Sequence, residues 1–319
     1  MCNGHYFTVF TPTFNRKNLL KNVYSNLKNQ TFDDFEWLII DDGSTDGTEF
    51  EVEKWIAEGE LAIVYVKKEN GGKHTAFKLA YEMCRTPYIV DFDDDDIYMP
   101  NCLEIFYKAW TDIENSHRRD IGSIKALTIT SAGRVLGGKC CVLADSFFDT
   151  NYIDYQVIQG YDFENVTSTK MSCYKLCPFF YFDKYWYNHK ITFVYEDVFW
   201  ARFAREYNTR YIFSPVRIYQ YSDNSITRGR QNYSNRWYSA AYSNKIFIQE
   251  NLFLFKCSFF YMFRRYILYL TYIITLKLPY NEALKELRCK TLWLLGYGIF
   301  PIIFVLSLYL KYFRHNDRI

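Results

Sequence analysis

The stretch YIVDFDDDDIYMP, residues 88–100, places four consecutive aspartates directly after a short apolar run. Neighbouring carboxylates repel one another, so a chain that keeps four together needs a compensating partner. A divalent cation is the obvious candidate, because Mg²⁺ and Mn²⁺ prefer carboxylate oxygens as protein ligands. A solvated acidic loop is the alternative, and the surrounding sequence distinguishes the two.

Short apolar segments and helical repeats alternate through the first hundred residues. Four segments predict strands: YFTVFT (6–11), EWLII (36–40), AIVYV (62–66) and YIV (88–90). Apolar residues at helical spacing lie between them, and Asn15 is expected to cap the first helix. This alternation predicts an α/β fold with a mostly parallel sheet covered by helices on both faces.

Polar residues collect where each predicted strand ends. The four groups are Thr11-Pro12-Thr13, Asp41-Asp42-Gly43-Ser44, Asn70-Gly71-Gly72-Lys73 and Asp93 to Asp96. Because the carboxyl ends of parallel strands share one edge of the sheet, we expect the four loops to converge on one cleft. Carboxylates, a lysine and backbone N–H groups left accessible at glycines are suited to bind a metal-bound diphosphate. Each group alone is typical of a surface turn; their order along the chain is what indicates a site.

In this order the motifs resemble those of the family 2 glycosyltransferases, which are inverting, metal-dependent enzymes that use nucleotide sugars. The matching segments are TPTFNR (11–16), QTFDDFEWLIIDDGSTDGT (30–48), KENGGKHTA (68–76), VDFDDDDIYMP (90–100) and YEDVFW (195–200). The resemblance implies a GT-A fold, a Rossmann-like and mostly parallel sheet flanked by helices. It also implies a nucleotide-diphosphate sugar as donor, with a UDP-sugar expected, and Mn²⁺ or Mg²⁺ as the cofactor.

The resemblance assigns roles to the residues at the strand ends. Those implied in nucleotide-sugar binding are Thr11, Pro12, Thr13, Asp42, Gly72, Lys73, Asp93 and Asp94. Asp95 is the implied metal ligand. The run is more acidic than the family's D-x-D pattern requires, so Asp94 and Asp96 stay open as alternative ligands.

The transfer chemistry needs two further groups. A carboxylate has to take the proton of the acceptor hydroxyl, and the resemblance implies Asp197 for this role, with Glu196 beside it. The departing diphosphate needs positive charge. Arg228 and Arg230 are candidates for contacting the diphosphate or the acceptor.

The C-terminal region has a different composition. From residue 251 onward the chain carries ten Lys and Arg against three Asp and Glu, although the net charge of the whole chain is only +2. The near-neutral total argues against a nucleic-acid partner. The segment TLWLLGYGIFPIIFVLSLYL (291–310) has twenty residues without a charge, interrupted by Gly296, Gly298 and Pro301.

This composition predicts helices lying at the cytoplasmic surface of the cell membrane. A single helix that spans the bilayer over 291–310 stays an alternative, as does a packed helical cap without a membrane role. We expect a GT-A catalytic domain over 1–235, with a nucleotide-sugar half near 1–115 and an acceptor half near 116–235. The helical, membrane-associated region then covers 236–319.

Cysteine usage and the N-terminus bear on the cellular compartment. The nine cysteines show no metal-ligand spacing, and the opening residues MCNGHYFTVF lack a basic flank followed by a long apolar core. We therefore predict no secretory signal and a reducing cytosol.

Together these features predict an inverting glycosyltransferase that acts on a saccharide or lipid-linked acceptor in cell-surface polysaccharide synthesis. One alternative is a sugar-nucleotide nucleotidyltransferase, but TPTFNRKN is not the glycine- and arginine-rich N-terminal loop expected of one. Another is a degenerate GT-A module that binds nucleotides at the membrane without catalysis. The presence of Asp93, Asp95 and Asp197 argues against it.

Overall fold

The computed structural model describes residues 4–137, 147–161, 164–176, 182–220 and 233–312. The chain divides into two compact units. The first consists of Met1–Tyr181 and Arg202–Gly229, and the second of Phe182–Ala201 and Arg230–Ile319. The functional boundary that the sequence predicts near residue 235 stays a prediction.

Eleven strands are present in the described residues. They are β1 (Phe7–Thr13), β2 (Phe35–Asp41), β3 (Ile63–Lys67), β4 (Tyr88–Asp91), β5 (Ile97–Tyr98), β6 (Ile121–Thr130), β7 (Phe147–Thr150), β8 (Asn165–Lys170), β9 (Tyr185–Trp186), β10 (His189–Lys190) and β11 (Asn208–Tyr219). Nine of them form one sheet in the order β3-β2-β1-β4-β8-β6-β11-β5, with β7 paired to β11. Strands β9 and β10 form a separate ribbon in the second unit.

Eleven α-helices accompany the strands in the same described ranges. They are α1 (Lys17–Lys28), α2 (Thr48–Glu58), α3 (Lys73–Met83), α4 (Cys102–Asn115), α5 (Met171–Leu176), α6 (Glu196–Phe203), α7 (Tyr233–Glu250), α8 (Phe259–Thr275), α9 (Tyr280–Glu286), α10 (Lys290–Gly298) and α11 (Phe300–Tyr312). A π-helical turn lies at Ile153–Ile158 and a 3₁₀ turn at Leu252–Phe255.

The N-terminal part of the sheet is parallel, as the alternating sequence predicts. Strand β1 pairs in parallel with β2 and β4, and β2 pairs in parallel with β3. The register sets Thr13 opposite Asp41, so the carboxyl ends of β1 and β2 meet at the same edge. The polar groups that follow these strands are therefore delivered to one side of the sheet.

The rest of the sheet is mixed. Strand β8 runs antiparallel to both β4 and β6, while β6 and β11 are parallel. Short β5 and β7 both pair antiparallel with β11. The α/β class is confirmed, and the antiparallel strands belong to the region where the sequence pattern is least regular.

Helices cover both faces of the sheet, and they pack against strand side chains that point alternately to the two faces. Val9 lies in the main core with side chains of α1, α2 and α4. Its neighbour Phe10 points the other way and meets Phe77 of α3, with ring centroids 4.9 Å apart. Aromatic stacking strengthens the main core; Tyr88 and Trp110, for example, have centroids 4.4 Å apart.

The start of α1 differs from the sequence-based expectation. The residue before the helix is Arg16, and Asn15 does not cap it. Asn15 instead has a φ of +54° and accepts a hydrogen bond from the backbone N–H of Thr45 at 2.7 Å. Its side chain joins the loop after β1 to the loop after β2, a tertiary contact that replaces the local cap.

Aromatic hydroxyls join the helices of the second unit. Tyr269 and Tyr266 on α8 are buried and donate hydrogen bonds to the backbone carbonyls of Ala283 and Leu292. The uncharged segment 291–310 is not continuous: α10 and the first part of α11 meet at an angle of 71°. Across the described ranges, no single helix has the length and apolar character to cross a membrane; this bent pair meets that criterion only when taken together.

Candidate active site

The four consecutive aspartates lie in the turn between β4 and β5, and their exposure alternates. Side chains of Asp94 and Asp96 are only 5% and 3% exposed, whereas those of Asp93 and Asp95 are 36% and 24% exposed. Two carboxylates are therefore held inside the protein, and the other two remain accessible to a ligand. A wholly solvated acidic loop would not show this alternation.

Asp94 is held by residues at the end of β1. Its carboxylate accepts hydrogen bonds from the Thr13 hydroxyl at 3.0 Å and from Nη1 of Arg16 at 2.7 Å. The same Arg16 nitrogen lies 3.1 Å from Oδ2 of Asp95. Burial raises the pKa of Asp94 to about 6, and the positive charge of Arg16 opposes that rise. Arg16 thus fixes both a buried and an accessible carboxylate.

Asp96 is held by Arg217 on β11. The Nη1 atom of Arg217 lies 2.7 Å from Oδ2 of Asp96 and 3.7 Å from Oδ2 of Asp93. Its Nε donates to the Thr128 hydroxyl at 2.9 Å, and its Nη2 lies 3.4 Å from Glu164. Burial raises the pKa of Asp96 to about 7, although Arg217 acts in the opposite direction.

Asp93 faces a lysine from the glycine-rich loop. Nζ of Lys73, the first residue of α3, lies 2.8 Å from Oδ1 of Asp93. Burial tends to raise the pKa of Asp93, but the charges of Lys73 and Arg217 outweigh it and lower the pKa below its usual value. Asp93 is therefore an ionised carboxylate with a cation on either side.

Asp42, at the end of β2, organises the glycine-rich loop. Its two carboxylate oxygens accept hydrogen bonds from the backbone N–H groups of Gly71 at 2.9 Å and Gly72 at 2.7 Å. Nζ of Lys68 lies 2.5 Å from the same carboxylate. Gly72 has a φ of +92°, which residues with a Cβ rarely adopt, so glycine is needed to present its N–H to Asp42.

The remaining residues of the β1 end differ in accessibility. Thr11 is buried, and its hydroxyl accepts a hydrogen bond from the indole N–H of Trp37 at 3.0 Å. Pro12 is half-buried. The Thr11 side chain is therefore engaged with the core, and its implied contact with a nucleotide stays a prediction.

Glu196 and Asp197 begin α6 and belong to the second unit. Glu196 is exposed, whereas Asp197 forms an ion pair with Nη2 of Arg265 on α8. The guanidinium of Arg265 lies 3.9 Å from the ring centroid of Phe247 and 4.9 Å from that of Tyr261. The second oxygen of Asp197, Oδ1, is buried without a hydrogen-bond partner. One oxygen is thus fixed and the other is unsatisfied.

The acidic turn has the donor set of a magnesium or manganese site. In the part of the chain that the structure describes, no three His, Cys, Asp or Glu side chains form a ready-made metal cluster. Mg²⁺ is commonly bound by one or two carboxylates together with substrate phosphates, which needs no such cluster. The accessible Asp95, with Asp93 beside it, fits that requirement better than the buried Asp94 and Asp96.

The N-terminal part of the chain matches a known family. The family described as Glycosyl transferase family 2 matches residues 8–186, more than half of the chain. The chain belongs to glycosyl transferase family 2. The matched range contains β1 to β4, the glycine-rich loop and the aspartate turn.

Related family 2 sequences match over about a third of this chain. The glycosyltransferase GlyA of Streptococcus pneumoniae is 30% identical over 101 residues, which are 32% of this chain and 14% of GlyA. The putative colanic acid biosynthesis glycosyl transferase WcaA of Escherichia coli is 28% identical over 107 residues, 33% of this chain and 38% of WcaA. The chain therefore covers much less than two thirds of these relatives.

Solved structures share the fold over more of the chain. S. aureus TarS 1-349 in complex with UDP-GlcNAc has a TM-score of 0.59 and 16% identity, over 88% of this chain and 80% of that one. The mannosyltransferase PcManGT of Pyrobaculum calidifontis, in complex with GDP-Man and Mn²⁺, has a TM-score of 0.51 and 17% identity, over 98% and 83%. At these identities the similarity establishes a GT-A-like fold.

Three arginines of this family 2 chain were not among the site residues predicted from the sequence. Arg16 lies in the motif TPTFNR, and the signal for it is the run of four adjacent aspartates, which requires cations nearby. Arg217 and Arg265 have no local signal, because their partners are distant in sequence. The predicted Arg228 and Arg230 lie outside the described residues.

Proposed function

We propose that this chain transfers a sugar from a UDP-sugar to a hydroxyl acceptor, with inversion at the anomeric carbon. The observation that carries the proposal is the pair of accessible carboxylates, Asp93 and Asp95, beside Lys73 at the carboxyl edge of the sheet. Membership of family 2 supports it, as do the nucleotide sugars in the TarS and PcManGT complexes.

Donor binding falls to the first unit. Asp95 would hold Mn²⁺ or Mg²⁺, with Asp93 directed to the ribose and the ammonium of Lys73 near the diphosphate. When bound, the metal supplies positive charge to the leaving diphosphate. Arg16 and Arg217 keep Asp94 and Asp96 inside the protein, so Asp93 and Asp95 are the carboxylates of the turn that a donor can reach. Arg228 and Arg230 stay candidates for a further diphosphate contact.

Proton transfer is assigned to Asp197. In a single displacement, the acceptor oxygen forms a bond to the anomeric carbon as the bond to the diphosphate oxygen breaks. The hydroxyl proton passes to a carboxylate oxygen of Asp197, and Arg265 holds the other oxygen in a fixed orientation.

We further propose a saccharide or lipid-linked acceptor in cell-surface polysaccharide synthesis. The support is the relative WcaA, whose name refers to colanic acid biosynthesis. A lipid-linked acceptor also agrees with the basic, apolar composition after residue 250. The donor sugar and the linkage depend on the shape of the acceptor region.

Calorimetric titration of UDP into the full-length protein, with Mn²⁺ and with chelator, tests donor binding. We expect metal-dependent binding that Asp95→Asn removes and that the matched control Asp33→Asn, an exposed aspartate in the loop before β2, retains. Equal UDP affinity in both variants would refute the assignment of Asp95. Full affinity in Asp95→Asn with loss in Asp94→Asn or Asp96→Asn would move the ligand role to that residue.

Turnover is tested separately with a panel of nucleotide sugars and a lipid-linked acceptor extract. Asp197→Asn is expected to lower turnover by about a hundredfold or more while donor binding survives, because the amide cannot accept the proton. Metal-dependent UDP binding without any turnover would favour the degenerate binding module. Release of pyrophosphate from a nucleoside triphosphate and a sugar phosphate would favour a nucleotidyltransferase.

A further inference from the structure

An open cavity of about 450 Å³ lies where α9 turns into α10. We call it the α9–α10 pocket. Lys285, Arg288 and Lys290 contribute to its lining together with Leu284, Trp293 and Leu294, and most of the lining surface is apolar. All six residues belong to the second unit, and none of them was assigned a role in sugar transfer.

The positive charge of this pocket is not neutralised by the protein. Lys285, Arg288 and Lys290 are all exposed, and none forms an ion pair with another residue of the described ranges. The neighbouring acid Glu286 points elsewhere, since its carboxylate lies 3.8 Å from Nζ of Lys245 and accepts a hydrogen bond from Trp186. Three cations on one rim without a counterion are a binding surface for an anion.

The apolar side continues onto the bent helix pair. Leu294 lines the pocket and is 63% exposed. Further exposed apolar side chains follow on α10 and α11: Tyr297, Phe300, Ile302, Phe304, Val305, Leu306, Leu308 and Tyr309. Apolar side chains exposed in this number on two consecutive helices mark a contact with a partner or a membrane. We call this set, with Leu294, the apolar face.

The combination of charges and apolar groups selects one occupant. A second copy of the chain, placed symmetrically on the same face, would present the same patch again, so that the interface would hold six cations. That arrangement is repulsive, and it leaves the positive charge uncompensated. A bilayer that contains anionic lipids offers phosphate groups for the cations and acyl chains for the apolar side. Tryptophan between the two is typical of residues at this interface.

We propose that Lys285, Arg288 and Lys290, the exposed cations beside the α9–α10 pocket, bind the phosphate headgroup of an anionic lipid while the apolar face enters the boundary between headgroups and acyl chains. The 71° angle between α10 and α11 suits helices that lie along a surface. The proposal concerns attachment and not transfer, so it can fail or succeed whatever sugar the chain moves.

Vesicle flotation of the full-length protein tests the proposal. We expect binding to equimolar phosphatidylcholine–phosphatidylglycerol vesicles and weak binding to pure phosphatidylcholine. The variant Lys285→Gln/Arg288→Gln/Lys290→Gln should weaken binding to the anionic vesicles by about fivefold for each cation, about a hundredfold in all. A matched control, Lys54→Gln/Lys78→Gln/Lys108→Gln, removes the same charge from exposed lysines of the first unit and should bind like the parent.

An equal loss of vesicle binding in both triple variants would refute the role of the pocket cations, because general charge attraction would then explain the binding. A second variant, Leu294→Gln/Ile302→Gln/Val305→Gln, alters only exposed side chains and should weaken binding to both vesicle types. If it binds as the parent does, the apolar face is not the part that enters the membrane. A concentration-dependent dimer that this variant dissociates would overturn the lipid surface in favour of a second copy.

Discussion

Above about pH 8, where Asp96 with its pKa of about 7 is ionised, replacing Arg217 by methionine is expected to destabilise the first unit by about 3–5 kcal/mol, the usual effect of removing one partner from a buried ion pair. Arg217 is 5% exposed and its partner Asp96 is 3% exposed, so water cannot take over the lost interaction. Methionine fills much of the same volume. The loss therefore reports the stranded carboxylate more than a cavity.

The structure explains why the expected loss of stability is at the upper end of the range for single substitutions. Besides the 2.7 Å ion pair with Asp96, Arg217 donates a hydrogen bond to Thr128, worth about 1 kcal/mol. It also opposes the burial of Asp96 and the repulsion from Asp93 and Asp95, which together raise the pKa of Asp96. Without Arg217, Asp93 and Asp96 lose a shared cation.

Urea unfolding followed by tryptophan fluorescence and circular dichroism measures this loss, in chelator so that metal binding does not contribute. The matched control is Arg118→Met. Arg118 pairs with Asp120 at 2.8 Å, and both side chains are more than 40% exposed. Its longer contact, 3.4 Å to Asp149, is with a carboxylate that Arg210 also holds at 2.9 Å. An exposed pair of this kind is worth about 1 kcal/mol or less. The double variant Arg217→Met/Asp96→Asn should recover part of the stability, because it removes the stranded charge.

Two outcomes would refute the reasoning. If Arg217→Met costs no more than Arg118→Met, the buried pair does not hold the acidic turn in place. If the double variant is as unstable as Arg217→Met alone, the loss comes from packing and not from the uncompensated carboxylate.

Two further predictions concern the other fixed carboxylates. Arg265→Met should lower turnover by about tenfold with the donor KM unchanged, because Asp197 loses its orientation. The control is Arg264→Met, at the exposed neighbouring position on α8. An equal change in KM and turnover for Arg265→Met would contradict the positioning role. Asp42→Ala should destabilise the first unit by about 2–4 kcal/mol, since it leaves the N–H groups of Gly71 and Gly72 without their acceptor. Hydrogen exchange at these two amides should rise with the loss of stability measured in urea, and unchanged exchange would show that another group holds the loop.

Local patterns in the sequence were sufficient for the elements that deliver the site. The apolar runs predicted β1 to β4, because the parallel strands of such a sheet are recognisable from their own apolar residues. The four polar groups at the strand ends follow from the chain direction of parallel strands, and the register of Thr13 with Asp41 agrees with that expectation. The break in the uncharged segment 291–310 was also predictable, from its glycines and proline.

Only the tertiary structure decided which aspartates face a ligand. Four identical residues in a row carry no local signal of burial, and their alternation follows from Arg16 and Arg217, which lie 78 and 121 residues away from the carboxylates they bind. The Asp197–Arg265 pair spans 68 residues. Contacts between distant segments also decide the place of antiparallel β8, between β4 and β6, and the use of Asn15 as a loop contact. The sequence signals for strands and turns lie within a few neighbouring residues. Charge compensation in a core depends instead on which distant segments the fold brings together.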